Sequence, residues 1–232
     1  MAAASREAGD SAADKQIMIT TVIFDLDGLL ADTERLHCRA YQRALGAFGS
    51  VISEAEYAEH WVRSGKGIVD WVAAHNLALD PEMVRARKAK LYLESLASEL
   101  RPMDGALELL AACSGKFTLA LASSSYPDAV AGVLDGLKIT HYFRAVVSGL
   151  DVARVKPAPD IFIAAARQAG AQPSQCVVLE DAEKGVIAAH RAGMLCVAVP
   201  NDYTREHVFA KATRVCGSLR NVTPNFLASL GA

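Results

Sequence analysis

The chain has 232 residues, 52% of them hydrophobic, and a formal net charge of −2. That is enough apolar material for one large domain or for a core with a modest insertion. The near-neutral balance removes any global electrostatic case for binding nucleic acid or an anionic membrane, and no stretch reaches the uninterrupted apolar length of a membrane span.

Residues 1–16 are Ala-rich and polar, with Glu7, Asp10 and Asp14 among them. They lack the apolar segment of a secretory signal, and their acids argue against a transit peptide, so a disordered tail is expected. Ile19 to Phe24 then reads as a strand buried on both faces. From about Thr33 to Arg101 the pattern turns helical, with Leu36, Ala40, Ala44 and Ala47 at helical spacing and no convincing strand. Asp80-Pro81 reads as a helix start. The basic run Val84 to Lys90 is expected to be a solvated helix face, with Leu91, Leu93 and Leu96 on the buried side.

Beyond this stretch, helices predicted at Ala106–Ala112, Pro127–Leu134, Asp160–Gln168 and Lys184–Ala192 alternate with strands. These strands are predicted at Thr118–Ala122, Ala145–Val147, Cys176–Leu179 and Leu195–Val199. Gly170 and Gly193 sit where helix C-terminal glycines are expected. Such alternation implies an α/β fold with a mostly parallel sheet and helices on both faces. The core would comprise residues 17–32 and 102–232, with residues 33–101 as a helical insertion. Five cysteines are scattered without a CxxC pair. Cys176 and Cys196 fall within strand-like runs, as buried reduced thiols do. The odd count favours a reducing compartment and a cytoplasmic location.

The run Val22-Ile23-Phe24-Asp25-Leu26-Asp27-Gly28 carries the strongest chemical signal. Alternate residues of a strand share a face, so Asp25 and Asp27 could reach one site at the strand's C-terminal end, where open α/β sheets bind ligands. Adjacent carboxylates repel and need a cation or a shared proton. The pair suits a carboxylate nucleophile beside magnesium, with the second carboxyl as acid and base. The alternative is a turn whose aspartates are solvated caps.

Three later segments accompany this run in order: Leu119 to Ser123, Lys156-Pro157-Ala158-Pro159-Asp160-Ile161-Phe162, and Val177-Val178-Leu179-Glu180-Asp181. Together the four segments resemble motifs I to IV of the haloacid dehalogenase superfamily, closest to its β-phosphoglucomutase-like branch of small-molecule phosphatases and mutases. The resemblance spans about residues 20–220. It implies a Rossmann-like core with a mobile cap domain inserted after the first strand, here residues 33–101.

It also implies Asp25 as nucleophile and Asp27 as general acid and base, with a pKa raised in the closed, dry site. Asp25 and Asp181 would bind Mg2+ together with the Asp27 backbone carbonyl, and Glu180 would ligate or support from beside them. Read without the resemblance, Glu180 and Asp181 could cap the next helix. Ser123, and less firmly Ser124, are expected to hold phosphate at a helix start, although Ser123 or Ser125 could be plain helix caps. Lys156, held in a Pro-bracketed turn, would offset the charge of Asp25 and phosphate together. His37 is placed by the resemblance near the hinge and the proton traffic, or is a structural histidine. Arg63 and Lys66, on a Gly-flanked loop of the insertion, are candidates for substrate specificity.

Two departures bear on the reaction. The mutases of this branch carry a cap-loop arginine three residues beyond a glycine, where this chain has Ile68 after Gly65 and Asp70 after Gly67; they also have a polar amide where Pro127 stands. The expected activity is therefore Mg2+-dependent hydrolysis of a small phosphorylated metabolite: a sugar phosphate, a nucleoside-like phosphate or phosphoglycolate. A hexose phosphate mutase is the alternative enzyme, and a non-catalytic binding protein the alternative of a different class. The resemblance also counts Asp27 against carbon–halogen chemistry. The expected partner is the small substrate alone, with no nucleic acid and no membrane, and the chain is expected to be a monomer or a weak dimer.

Overall fold

A computed structural model describes residues 18–231; the expected N-terminal tail lies outside them. The strands β1 (Thr21–Phe24), β2 (Thr118–Ala122), β3 (Ala145–Val147), β4 (Cys176–Glu180), β5 (Leu195–Ala198) and β6 (Arg214–Val215) form one sheet in the order β3-β2-β1-β4-β5-β6. All neighbouring pairs are parallel. The pair β5 and β6 was not foreseen because Arg214 and Val215 are both exposed, leaving no apolar run to read.

Side chains alternate across this sheet, and the apolar residues sort accordingly into two clusters. Val22, Phe24, Leu121, Leu179 and Val197 belong to one. Ile23, Ala120, Ala122, Val178, Cys196 and Ala198 belong to the other. The second face is built largely from small residues and is covered by α7 (Asp160–Ala169) and α8 (Glu183–Arg191), whose own contact residues include Ala165, Ala166, Ala188 and Ala189. Helix α7 ends at Gly170 in the left-handed region, φ 80°, a conformation that favours glycine. The first face is covered in part by α5 (Ala106–Cys113) and α6 (Pro127–Gly136), which contribute Leu109, Leu110, Val130 and Val133.

Between β1 and α5 lie α1 (Glu34–Gly46), α2 (Glu54–Tyr57), a π-helical turn (Ala58–Arg63), α3 (Ile68–Ala74) and α4 (Pro81–Glu99), with no strand among them. Asp80 caps α4 through the Glu82 amide at 2.9 Å, and Pro81 opens the helix. A capping box of Ser53 and Glu56 starts α2. Helix α4 approaches α6 at two glycines: a Cβ at Gly132 would lie 2.9 Å from Leu96, and one at Gly136 would lie 2.6 Å from Leu100. Of the leucines assigned to the buried side of α4, Leu91 and Leu96 are buried and Leu93 is exposed. None of the described helices is long and apolar enough to cross a membrane.

Leu121 lies on β2 between Phe24 of β1 and Val146 of β3 and is fully buried. Leu121→Ala should lower folding stability by about 2–5 kcal/mol, the usual range for such a truncation. Urea denaturation followed by circular dichroism measures this; an unchanged midpoint would contradict the packing described.

Candidate active site at the strand ends

Every loop leaving the C-terminal end of β1 to β5 brings a polar side chain to one region, because β1 lies between β2 and β4 and the crossovers run to opposite sides there. A cleft of about 390 Å³ opens at this point, lined by core residues and by residues of α1, α4 and the π-helical turn. Asp25, Asp27, Ser124, Lys156, Glu180 and Asp181 line its floor.

Asp25 is nearly buried, and its Oδ1 accepts a hydrogen bond from Lys156 Nζ, which also donates to the Ala122 carbonyl at 3.0 Å. Lys156 lies 3.5 Å from Glu180 and 4.8 Å from the Phe162 ring centre. Burial favours its neutral form, but Asp25 and Glu180 outweigh that and hold the ammonium charged. Burial raises the Asp25 carboxyl above its ordinary range, against the pull of Lys156. Burial also pushes Glu180 up to about 8, with Asp25 adding to the effect. Asp181 is raised well above the usual range by burial and by Glu180.

Oxygens of Asp25, Glu180 and Asp181 all lie within 4.8 Å of one another. Glu180 Oε2 is buried with no partner. Three buried carboxylates facing one ammonium, with an orphaned oxygen among them, suit a hard divalent cation such as magnesium. Neither acid caps α8, whose N-cap is Ala182 with no side-chain hydrogen bond. Gly185, in the first turn of α8, makes room for this cluster, since a Cβ there would lie 1.6 Å from Glu180 Oε1.

Asp27 differs from expectation. Its Oδ1 accepts from Thr33 Oγ1 at 2.7 Å and from His37 Nε2 at 3.3 Å. Its Oδ2 accepts from Ser123 Oγ at 3.1 Å and Ser125 Oγ at 2.7 Å. Burial pushes this carboxyl up, but the bonds from His37, Thr33 and Ser125 outweigh burial and hold it well below the usual carboxylate range. The raised pKa expected from a dry site therefore does not apply in this conformation, because four donors stabilise the anion.

Those donors change the reading of several residues. Ser123 is buried beneath the cleft with its hydroxyl on Asp27, whereas Ser124 lines the cleft with a buried, unpartnered Oγ. No side chain caps α6, so neither Ser123 nor Ser125 is a helix cap. Thr33 stands at the N-cap of α1 but gives its hydroxyl to Asp27 instead.

His37 stacks on Tyr92 at 3.9 Å and meets Lys88 Nζ at 2.6 Å through Nδ1. A charged lysine only donates, so Nδ1 accepts and Nε2 carries the proton toward Asp27. Lys88 belongs to the run expected to be solvated, yet it turns into the cleft and packs over Tyr92 and Tyr41. Burial lowers its ammonium to about 8, against the opposing pull of Asp27.

Lys66 lines the cleft, but Arg63 is not among the lining residues and lies 3.7 Å from Glu59 on the exposed side of the π-helical turn. Its assignment to substrate specificity has no support in this geometry. Residues that the sequence did not single out include Thr33, Lys88, Lys184, and the group Tyr41, Tyr57 and Trp61 on the outer wall. Lys184 Nζ donates to the Trp61 carbonyl at 3.2 Å and so ties α8 to the wall. Tyr57 and Trp61 stand four residues apart and Tyr41 lies on α1, so nothing in their spacing aimed them at the site.

Comparison with known proteins places this geometry in context. A family model described as haloacid dehalogenase-like hydrolase matches residues 19–193. The chain is 33% identical over 184 residues to the fructose-1-phosphate phosphatase YqaB of Escherichia coli, covering 77% of this chain and 95% of that protein. It is 33% identical over 214 residues to a probable pseudouridine-5'-phosphatase of Drosophila melanogaster, covering 89% and 92% respectively. Among solved structures, CbbY from Rhodobacter sphaeroides in complex with phosphate superposes with a TM-score of 0.79 at 29% identity, covering 87% of this chain and 95% of that one.

Asp27 has a depressed folded-state pKa. Its contribution to stability is present in full above the unfolded value of about 4 and is lost as pH falls through the lower folded value. Between about pH 4 and pH 2, the wild type should lose more stability than the Asp27→Asn variant. Urea midpoints measured across that interval test this, and parallel curves would refute the assignment.

Proposed function

Because the chain belongs to the haloacid dehalogenase-like hydrolase family, we propose that it hydrolyses a small phosphorylated metabolite through an aspartyl-phosphate on Asp25. At the coarser level it is a phosphoric monoester hydrolase with relatives named as phosphatases. The observation that carries the finer reading is the buried Asp25 carboxylate, held at Oδ1 by Lys156 inside a cluster of acids.

Lys156 orients one oxygen of Asp25 and leaves the other to attack phosphorus in line with the ester oxygen. The bond from phosphorus to that oxygen breaks, and the departing alkoxide takes a proton from the Asp27 carboxyl. Water then attacks the phosphoenzyme, Asp27 accepts its proton, and Asp25 and inorganic phosphate are released. Magnesium, when bound, would be held by Asp25, Asp181 and the Asp27 carbonyl with Glu180 beside them, and it would neutralise charge between nucleophile and phosphate. The Ser124 hydroxyl is free to donate to a phosphate oxygen.

For Asp27 to act as an acid it must first gain a proton. That requires loosening the four donors that hold it as an anion here. Thr33 and His37 belong to the start of the helical stretch, and Ser123 and Ser125 to the core. Movement of residues 33–101 as a cap would therefore exchange these bonds for contacts with the ester oxygen and raise the carboxyl's pKa at the moment it is needed. Closure would also exclude water while the first step proceeds. Lys66 and the outer wall of Tyr41, Tyr57 and Trp61 would then meet the body of the substrate.

Hydrolysis is favoured over phosphoryl transfer between sugar positions, because among the described residues no arginine lines the cleft to hold a second phosphate. A sugar phosphate such as fructose 1-phosphate and a nucleoside-like phosphate such as pseudouridine 5'-phosphate are the first substrates to try, with phosphoglycolate beside them. Phosphate release from this panel should require magnesium, stop with EDTA and fall to background in Asp25→Asn. Turnover by Asp25→Asn near the wild-type rate would remove Asp25 as nucleophile.

The Lys88–His37–Asp27 chain gives a further expectation. Loss of the Lys88 proton near pH 8 removes the charge that holds His37 in its tautomer and should produce a declining alkaline limb in kcat/KM. In Lys88→Met the rate should be lower and that limb absent. An unaltered profile in the variant would show that Lys88 has no part in setting Asp27.

A further inference from the structure

The loop after β5, residues 199–207, makes contacts that the proposed reaction does not use. Asn201 Nδ2 donates to the Asp181 Oδ2 at 2.8 Å and to the Gly28 carbonyl at 2.9 Å. Its Oδ1 accepts from the Tyr203 amide at 2.8 Å, and its own amide donates to Thr204 Oγ1 at 2.9 Å. Every polar atom of this side chain therefore has a partner, and the amide cannot flip without losing three bonds. Asp181 Oδ2 is held against the turn that follows β1, so the direction of its other oxygen is set. Gly28 is part of the same joint, at φ +80°. A Cβ there would stand 2.5 Å from Asn201 Nδ2 and 2.7 Å from Asp181 Oδ2.

The far end of the loop reaches the helical stretch. Tyr203 OH donates to Glu54 Oε1 at the start of α2, and its ring meets Tyr57 edge-on at 6.3 Å. Tyr57 in turn donates to Glu34 at 2.6 Å and stacks beside Trp61 on the cleft wall. Two residues apart in sequence, Asn201 and Tyr203 thus touch an acid of the cation cluster and the helix that carries the wall.

We propose that the loop 199–207 couples the position of α2 to the cation-binding acids, with Asn201 as the positioning residue for Asp181 and Tyr203 as the grip on Glu54. This rests on the reading of Asp181 as a magnesium ligand. When α2 is seated, Tyr203 is held, its amide fixes Asn201, and Asn201 aims Asp181. When α2 lifts, the loop loses its outer anchor and Asp181 loses its fixed direction. Coupling of this kind is reciprocal, so magnesium binding favours the seated α2 by the same factor.

Calorimetric titration of the full chain with magnesium chloride alone tests this, with thermal melts confirming that each variant is folded. Asn201→Ala should weaken magnesium about 10- to 100-fold, the usual cost of removing a residue that orients a ligand. Tyr203→Phe deletes one oxygen that bonds none of the three clustered acids, yet should weaken magnesium by about fivefold or more. Glu54→Gln should act in the same direction. In the Asn201→Ala background, Tyr203→Phe should have no further effect, because the coupling passes through Asn201. A merely structural role would lower the melting temperature without moving the affinity. Wild-type affinity in Tyr203→Phe, or additive losses in the double variant, would overturn the coupling. Should Asn201→Ala fail to fold, the Tyr203→Phe and Glu54→Gln titrations decide alone. A wild-type chain that binds no magnesium would instead overturn the ligand reading beneath the proposal, and the proposal with it.

Discussion

The imbalance of charge at the ends of β1 and β4 is the constraint on which the rest of this molecule depends. Asp25, Glu180 and Asp181 are buried within a few ångströms of one another, and Lys156 is the buried cation set against them. Removing one charge from water costs several kcal/mol after relaxation, and packing like charges together adds to it. Such an arrangement persists only where surrounding structure over-determines it. Gly185 removes the side chain that would displace Glu180, Ala122 offers its carbonyl to Lys156, and Phe162 lies under the ammonium. The small residues on that face of the sheet let α7 and α8 approach closely enough to supply these groups. A site that concentrates negative charge in this way suits a hard divalent cation, and the fold holds the acids together in place.

Asp27 meets the opposite condition two residues later. Instead of an excess of acids it has an excess of donors, drawn from α1, from the loop after β2 and, at one remove through His37, from α4. Two carboxylates on one short strand end thereby acquire different electrostatic characters. Asp25 is pushed up by burial, whereas Asp27 is pulled down by hydrogen bonds. Separation of neighbouring carboxylates in this manner is how one site assigns distinct chemical roles to identical side chains. The donors come from both sides of the cleft, so any movement between those sides changes what Asp27 can do.

Much of this was legible in the chain. Residues buried on both faces of a parallel sheet must be apolar, which made β1, β2, β4 and β5 visible as runs and located Asp25, Ser123 and Glu180 at their ends. The helix starts at Asp80-Pro81 and Pro127 and the stop at Gly170 were readable because backbone geometry restricts which residues stand there. Lys88 was misread because its charged neighbours Arg87 and Lys90 are exposed, and a single inward turn leaves no trace in a periodicity. Arg63 and Lys66 are neighbours in the sequence, yet only Lys66 lines the cleft, and Arg63 stands beside Glu59 on the exposed side of the π-helical turn.

The order and identity of the chemical groups at the strand ends could be read from the chain alone, because strand burial and the spacing of acids are local properties. Which groups meet was fixed by folding. Thr33 and His37 reach Asp27 from the start of α1, Lys88 of α4 reaches His37 behind it, and Asn201 reaches Asp181 and Gly28 across the sheet. Those contacts run through polar side chains that carry no hydrophobic pattern, and the one from Asn201 to Gly28 spans 173 positions of the chain. The protonation state of Asp27 followed from them as well, since a carboxyl's pKa is set by the balance of burial and donors around it, and both are properties of the folded molecule alone.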